Sequence, residues 1–239
     1  MRCVAWVGGL LLAVGSVALD GDSAWSQDVA PANTVMAVGG ADGWRDGGFG
    51  YGGILWSPDG LDRPGFVAKV LAGAGTYRYL NGTVDTLGQV TLLDAMPGWR
   101  FKTGTLEVTV FAGAELQNHR LTPDDTANKA RGLHGGGRFA VESWYEPTAG
   151  TMTSIAGSFA SVGHSYWSRA ALGWRALDLA YVGPEVLALG DDTYQQWRFG
   201  LHATALHLGA FEWSFGAGYV EDNDGRGGLY LSLGVLTRR

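Results

Sequence analysis

Thiol chemistry is nearly missing from this chain. Its single cysteine, Cys3, stands among the first residues, ahead of an apolar run from Val4 to Leu19. A disulfide framework, a thiolate metal site and a cysteine nucleophile are therefore excluded from everything that follows. No later apolar stretch reaches the roughly 20 residues a membrane-spanning helix needs, and no segment carries convincing helical periodicity. Basic clusters are missing too: the formal net charge is −6 and Lys and Arg are scattered, which disfavours nucleic acid as a partner. The five histidines, His119, His134, His164, His202 and His207, lack metal-ligand spacing. No metal or cofactor is expected.

What is present begins with an export signal. Arg2, the apolar run, and Ala24 and Ser26 placed at −3 and −1 before Gln27 read as a signal peptide over residues 1–26. Cys3 precedes the run instead of following it, which argues against a lipoprotein anchor. Residues 27–33 read as a short periplasmic lead-in and 34–239 as one domain of ordinary length.

Within that domain the dominant signal is alternation of period two. Trp197, Phe199, Leu201, Ala203 and Ala205 share one face, with Gln196, Arg198, Gly200, His202 and Thr204 on the other. Phe211, Trp213, Phe215, Ala217 and Tyr219 repeat the pattern, as do Leu229, Leu231, Leu233 and Val235. Segments of about ten residues can cross a bilayer as tilted strands. The 39 glycines suit a wall that must bend and leave room for large neighbours. A mean hydropathy of +0.02 decides nothing, because a barrel with two unlike faces averages to the same value. The fold expected is all-β: an antiparallel transmembrane, outer-membrane β-barrel of about 12 strands. Short periplasmic turns are expected at Ser57 to Pro64, Asp94 to Trp99, Pro147 to Gly150, Ala176 to Leu179 and His207 to Gly209. Outer connections are expected at Asp42 to Gly47, Asn81-Gly82, Gln117 to Arg131, Gly163-His164, Gly190 to Thr193 and Asp222 to Gly225. Trp44, Trp56, Trp99, Tyr145, Tyr166, Trp174 and Tyr219 fall at strand ends, where a membrane interface favours an apolar ring with a polar tip.

If the apolar faces meet lipid, parity sends the other residues inward. Lys69, Glu107, Arg138, Glu142, Arg169, Arg175, Arg198 and Glu212 are the candidate lumen network, with Glu115 and His202 beside them. Charges of both signs in a crowded interior should pair, since a stranded one costs several kcal/mol. A second reading of the same lumen is a pore or sugar-binding channel, in which Tyr77, Trp144, Trp167 and Tyr230 offer stacking faces for a glucan. Catalytic signals are thin. Gly48, Gly50 and Gly53 match G-x-G-x-x-G without the strand–turn–helix setting a nucleotide needs. His164 and Ser165 are adjacent, so on a strand they would point to opposite faces and could not act directly as base and nucleophile.

Three stretches carry a resemblance. Residues 183–200, GPEVLALGDDTYQQWRFG, the preceding YWSRAALGWRAL, and residues 35–79, with a Gly-rich hairpin and an Asp-Arg-Pro-Gly turn, resemble the cellulose biosynthesis protein BcsS family. The resemblance implies an outer-membrane barrel encoded with a bacterial cellulose synthase system, with no established catalytic activity and no catalytic residue to carry over. The C-terminus departs from the usual outer-membrane ending: it closes on Leu236-Thr237-Arg238-Arg239 and not on an aromatic residue. The function expected is a non-enzymatic accessory of cellulose biosynthesis or secretion. A small porin or sugar channel is the alternative and an acyl hydrolase a distant one. Outer-membrane lipid, and cellulose or other cellulose-synthesis proteins, are the expected partners.

Overall fold

A computed structural model describes residues 33–239; the expected signal peptide and all but the last residue of the expected lead-in lie outside the described residues. Twelve strands follow in order: β1 (Val35–Trp44), β2 (Gly47–Trp56), β3 (Gly65–Asn81), β4 (Val84–Thr103), β5 (Leu106–Thr122) and β6 (Gly132–Thr148). Then come β7 (Thr151–Ala160), β8 (Tyr166–Ala176), β9 (Ala180–Gly190), β10 (Gln195–Leu208), β11 (Phe211–Asp222) and β12 (Gly227–Arg238). Each strand pairs antiparallel with its sequence neighbours, and β12 pairs with β1, so the sheet closes into a barrel without an edge. Closure matters because an unpaired strand edge cannot be satisfied in hydrocarbon. At the seam Met36 stands opposite Arg238 and Trp44 opposite Tyr230. The amides of Thr34 and Val35 both donate to the Arg239 carbonyl at 2.8 Å, and the Arg239 amide donates to Val35 at 2.8 Å. The C-terminal arginines that looked out of place are thus part of the closure.

Both described termini lie at one end of the barrel, called here the near end; the other is the far end. Near-end connections have two or three residues, as at Gly104-Thr105 and Gly209-Ala210, except for the eight of residues 57–64, while the far end carries the longest hairpin loop, residues 123–131. The tight turns use glycine where φ must be positive, as at Gly82 (φ 63°) and Gly104 (φ 58°). Strands β3 to β6 have 17, 20, 17 and 17 residues, against 10 to 14 elsewhere, so one wall is taller than the rest.

The predicted alternation sets the two faces. Trp197, Phe199, Leu201, Phe211, Phe215, Tyr219, Leu229, Leu231 and Leu233 project outward and exposed, as do Ile54, Val70, Ile155 and Leu172 from other strands. Trp56, Trp99, Tyr145 and Trp174 ring the near end of that apolar band. Such a belt, with aromatic residues at its margin, belongs in a bilayer.

Three expectations are corrected. The turn expected at Asp94 to Trp99 is uninterrupted strand, and the chain reverses at Gly104-Thr105 instead. Its turn-like letters have other causes: Asp94 points inward as a buried charge, and Pro97 sits opposite Ala68 within a strand of 20 residues that spares one donor. Gln117 to Thr122, expected in a loop, complete β5. Ala205, expected outward, is fully buried: the register between β10 and β11 shifts between Ala203 and Leu206, and Ala205 takes φ 63°. This bulge reverses which parity faces lipid.

Candidate functional site

Inward side chains stack in three tiers. In the near half two apolar clusters fill the interior between the charged pairs of the rim and those of the middle. Met36, Leu55, Leu61, Val67, Met96 and Phe111 pack together on the β1 to β5 side, and Trp144, Met152, Tyr181 and Ala205 pack on the other. Val67 and Tyr181 are 0% and Phe111 and Met152 1% accessible to solvent. Inward residues that water cannot reach mean that this half of the lumen is filled.

Charged pairs occupy the second tier. Lys69 Nζ lies 2.5 Å from Glu142 Oε1 and 4.1 Å above the Phe111 ring. Arg138 bonds Glu115, lies 3.5 Å from Asp94 and donates to Ser158 Oγ at 2.8 Å. Arg169 meets Glu185 at 2.7 Å, and Tyr230 donates its hydroxyl to the same carboxylate at 2.8 Å. Arg198 reaches Asp42 at 3.3 Å, with Trp44 and Tyr230 against its guanidinium at 4.7 and 5.4 Å. Toward the near end Glu107 lies 3.1 Å from Arg100 and 3.6 Å from Lys102, while Glu212 lies 3.4 Å from His207 and 3.8 Å from Arg238.

The expected lumen network is therefore redistributed. Lys69, Glu107, Arg138, Glu142, Arg169, Arg198 and Glu212 all face inward, but as separate pairs, and only Lys69 with Glu142 joins two of them. The other partners are Asp42, Asp94, Arg100, Lys102, Glu115, Glu185, His207 and Arg238. A side chain pairs with whatever stands at its own height on a neighbouring strand, so a narrow lumen favours local pairs over one shared network. Arg175 does not join: its parity is inward, but it stands exposed at the near-end rim, with Nη2 3.2 Å from the Tyr181 hydroxyl.

Two polar ladders rise from this tier. On β5, Glu115 accepts from Gln117 Nε2 at 2.5 Å, Gln117 Oε1 lies 2.8 Å from His119 Nε2, and His119 Nδ1 lies 2.9 Å from the Tyr77 hydroxyl. With the amide in this orientation, His119 Nε2 carries the proton and Tyr77 donates. On β10, Arg198 Nε donates to Gln196 Oε1 at 2.5 Å and Gln196 Nε2 to the Tyr194 hydroxyl at 2.8 Å. The ladders end side by side, with the Tyr77 and Tyr194 rings 6.3 Å apart. Burial, and secondarily Asp222, pushes the Tyr194 phenol up to about 12.

Above the ladders lies the third tier, a cavity of about 220 Å³ opening at the far end. Tyr77, Trp167, Tyr194 and Trp44 supply its rings, and Gln117, His119, Ser165 and Asp191 its polar edge. Of the four rings expected to stack on a glucan, Tyr77 and Trp167 line this cavity. Trp144 and Tyr230 are buried elsewhere, Trp144 in the near-end cluster and Tyr230 between Glu185 and Arg198, and neither presents a free face. Gln117 and His119 escaped sequence reasoning because polar residues there read as loop; the spacing of Glu115, Gln117 and His119 by two was the signal that β5 continues. The hairpin loop 123–131 folds toward the mouth. Tyr79 donates to Asp125 Oδ2 at 2.7 Å and accepts from Asn128 Nδ2 at 3.1 Å. His164 Nδ1 lies 3.0 Å from Asp192, and Ser165 Oγ accepts from Gln117 Nε2 at 3.2 Å, so the two adjacent residues have different partners. Among the described residues no cluster of His, Cys, Asp or Glu is placed to hold a metal ion.

Three solved structures align with most of the chain. The KdgM porin aligns at 11% identity over 84% of this chain and 98% of its own, with a TM-score of 0.45. A Pseudomonas aeruginosa FadL homologue aligns at 8% identity over 85% and 89%, with a TM-score of 0.33. The outer membrane protease OmpT from Escherichia coli aligns at 8% identity over 86% and 92%, with a TM-score of 0.27. No curated protein matches the chain. The family model for cellulose biosynthesis protein BcsS covers residues 36–239, from the first strand through the last, and the chain belongs to that family.

Proposed function

We propose that this protein is a non-enzymatic outer-membrane barrel, exported by its N-terminal signal, that serves bacterial cellulose biosynthesis or secretion as an accessory and not as a conduit. The observation that carries the reading is a near half packed with side chains inaccessible to water, in a member of a cellulose-biosynthesis family. A polymer-conducting pore needs a continuous wet path, and a filled half-lumen argues against one. Lipid covers the outer face, and the exposed far rim and tall wall are left for cellulose or for other proteins of the synthesis system.

Deletion of the gene, with complementation by the intact chain, should lower cellulose output. The purified barrel in a planar bilayer should show no steady ion current. A steady current would instead favour the small porin, and unchanged cellulose on deletion would remove the accessory role.

A further inference from the structure

The far-end cavity combines features that select a ligand class. Rings from Tyr77 and Trp167 stand beside Gln117 and His119, whose polar atoms are oriented by the ladder, and beside Ser165, whose hydroxyl accepts from Gln117 and keeps its own proton to donate. A pyranose presents the complement: C–H faces that stack on rings, and a rim of hydroxyls that each need a partner. A purely apolar ligand would leave the Ser165 O–H and the second lone pair of Gln117 Oε1 without water, at a cost for each buried group.

Charge narrows the class further. The cations near the cavity, Arg138, Arg169 and Arg198, are each held by a carboxylate, from Glu115, Glu185 and Asp42 respectively. An anionic sugar would have to break one of these pairs and would also meet Asp191 at the rim. Depth sets the mode of entry: the volume of about 220 Å³ leads down to the packed near half, so a chain can enter by its end and go no further.

We propose that this cavity is a subsite for the terminal units of a neutral gluco-oligosaccharide, entered from the far end. The assignment to glucose polymers rests on the proposed role in cellulose production; the preference for a neutral sugar rests on the paired charges.

Cellotetraose, maltotetraose and tetragalacturonate would be titrated into the detergent-folded barrel, with binding read by calorimetry and tryptophan fluorescence, and folding checked by heat-modifiable gel mobility. Saturable binding of cellotetraose, one per barrel, is expected, with cellotetraose and cellohexaose within a few-fold of each other because only the end is held. Trp167→Ala should weaken it about tenfold, the loss of one stacking contact. Should Trp167→Ala not fold, Ser165→Phe, which fills the mouth from a rim position, should weaken it at least as much. The proposal is overturned if the folded wild type binds no neutral oligosaccharide, if tetragalacturonate binds more tightly, if affinity climbs steadily with chain length, or if the folded variants bind like wild type. Tighter binding of maltotetraose would overturn the β-linked assignment. Loss of cellulose on gene deletion, with no saccharide binding, would sink the subsite and leave the accessory role standing; binding without any effect of deletion would do the reverse.

Discussion

Removing the Arg169 side chain should unfold the barrel far more easily than removing its ion pair altogether. Arg169 and Glu185 are 3% and 2% exposed, they meet at 2.7 Å, and Tyr230 adds one hydroxyl bond to the carboxylate. With Arg169→Ala, Glu185 keeps that single bond and loses its counter-charge in a site water does not reach. Breaking a buried pair from one side typically costs about 3–5 kcal/mol, which corresponds to a hundredfold or greater rise in the unfolded fraction, since about 1.4 kcal/mol is tenfold. Adding Glu185→Gln removes the stranded charge and keeps an acceptor for Tyr230, so the double variant should recover a large part of the loss. Urea unfolding in lipid vesicles, followed by tryptophan fluorescence and gel mobility, measures all three proteins. A single variant within about 1 kcal/mol of wild type, or a double variant no more stable than the single, would refute the reasoning that these charges are held by local pairing.

Three further outcomes follow from other parts of the molecule. Phe215→Arg, on the lipid-facing side of β11, should cost about 2–4 kcal/mol near the bilayer midplane, whereas the same change at Tyr219, nearer the far rim, should cost clearly less; equal costs in vesicle unfolding would contradict the assigned belt. Tyr79→Phe removes the hydroxyl that joins Asp125 and Asn128, so amide exchange in residues 123–131 should quicken while the strands keep their protection. The Tyr194 phenol, raised to about 12 in the barrel by burial, ionises near about 10 in an unfolded chain. Its contribution to stability is complete below the lower value and is lost as pH rises through the higher one. Tyr194→Phe should therefore flatten the alkaline fall in stability, and an unchanged fall would show that the phenol is not the group responsible.

Period-two alternation was enough to read twelve strands and the lipid face, because in a barrel wall the pleat alone decides inside from outside. Parity carries no information about height, however. Arg169 and Arg175 share a parity on β8, yet one is buried beside Glu185 and the other is exposed at the near rim. Where polar letters usually mean a turn, as at Asp94 to Gly98, the lumen reverses their meaning: an aspartate can be inside because Arg138 is inside. The same confusion hid Gln117 and His119 in an expected loop. Ala205 failed for a different reason: a bulge inserts a residue there, and its only mark in the letters is the move of the apolar positions to Leu206 and Leu208, at the end of the strand.

The seam between β1 and β12 has a kinetic consequence. Met36 and Arg238 become neighbours only after a loop of about 200 residues has closed, whereas every other strand pair is joined by a local hairpin. At about 0.6 kcal/mol for each doubling of loop length, that last contact carries about 4 kcal/mol more closure entropy than a two-residue turn. Hairpin pairing therefore runs ahead of it, and the forming sheet carries two open edges, β1 and β12, until the seam closes. Those edges are templates for mispairing with other chains. Because Arg239 itself bonds Thr34 and Val35, it is also a fastener of the seam, and a change of chain at that position acts on the step that ends the sheet's exposure.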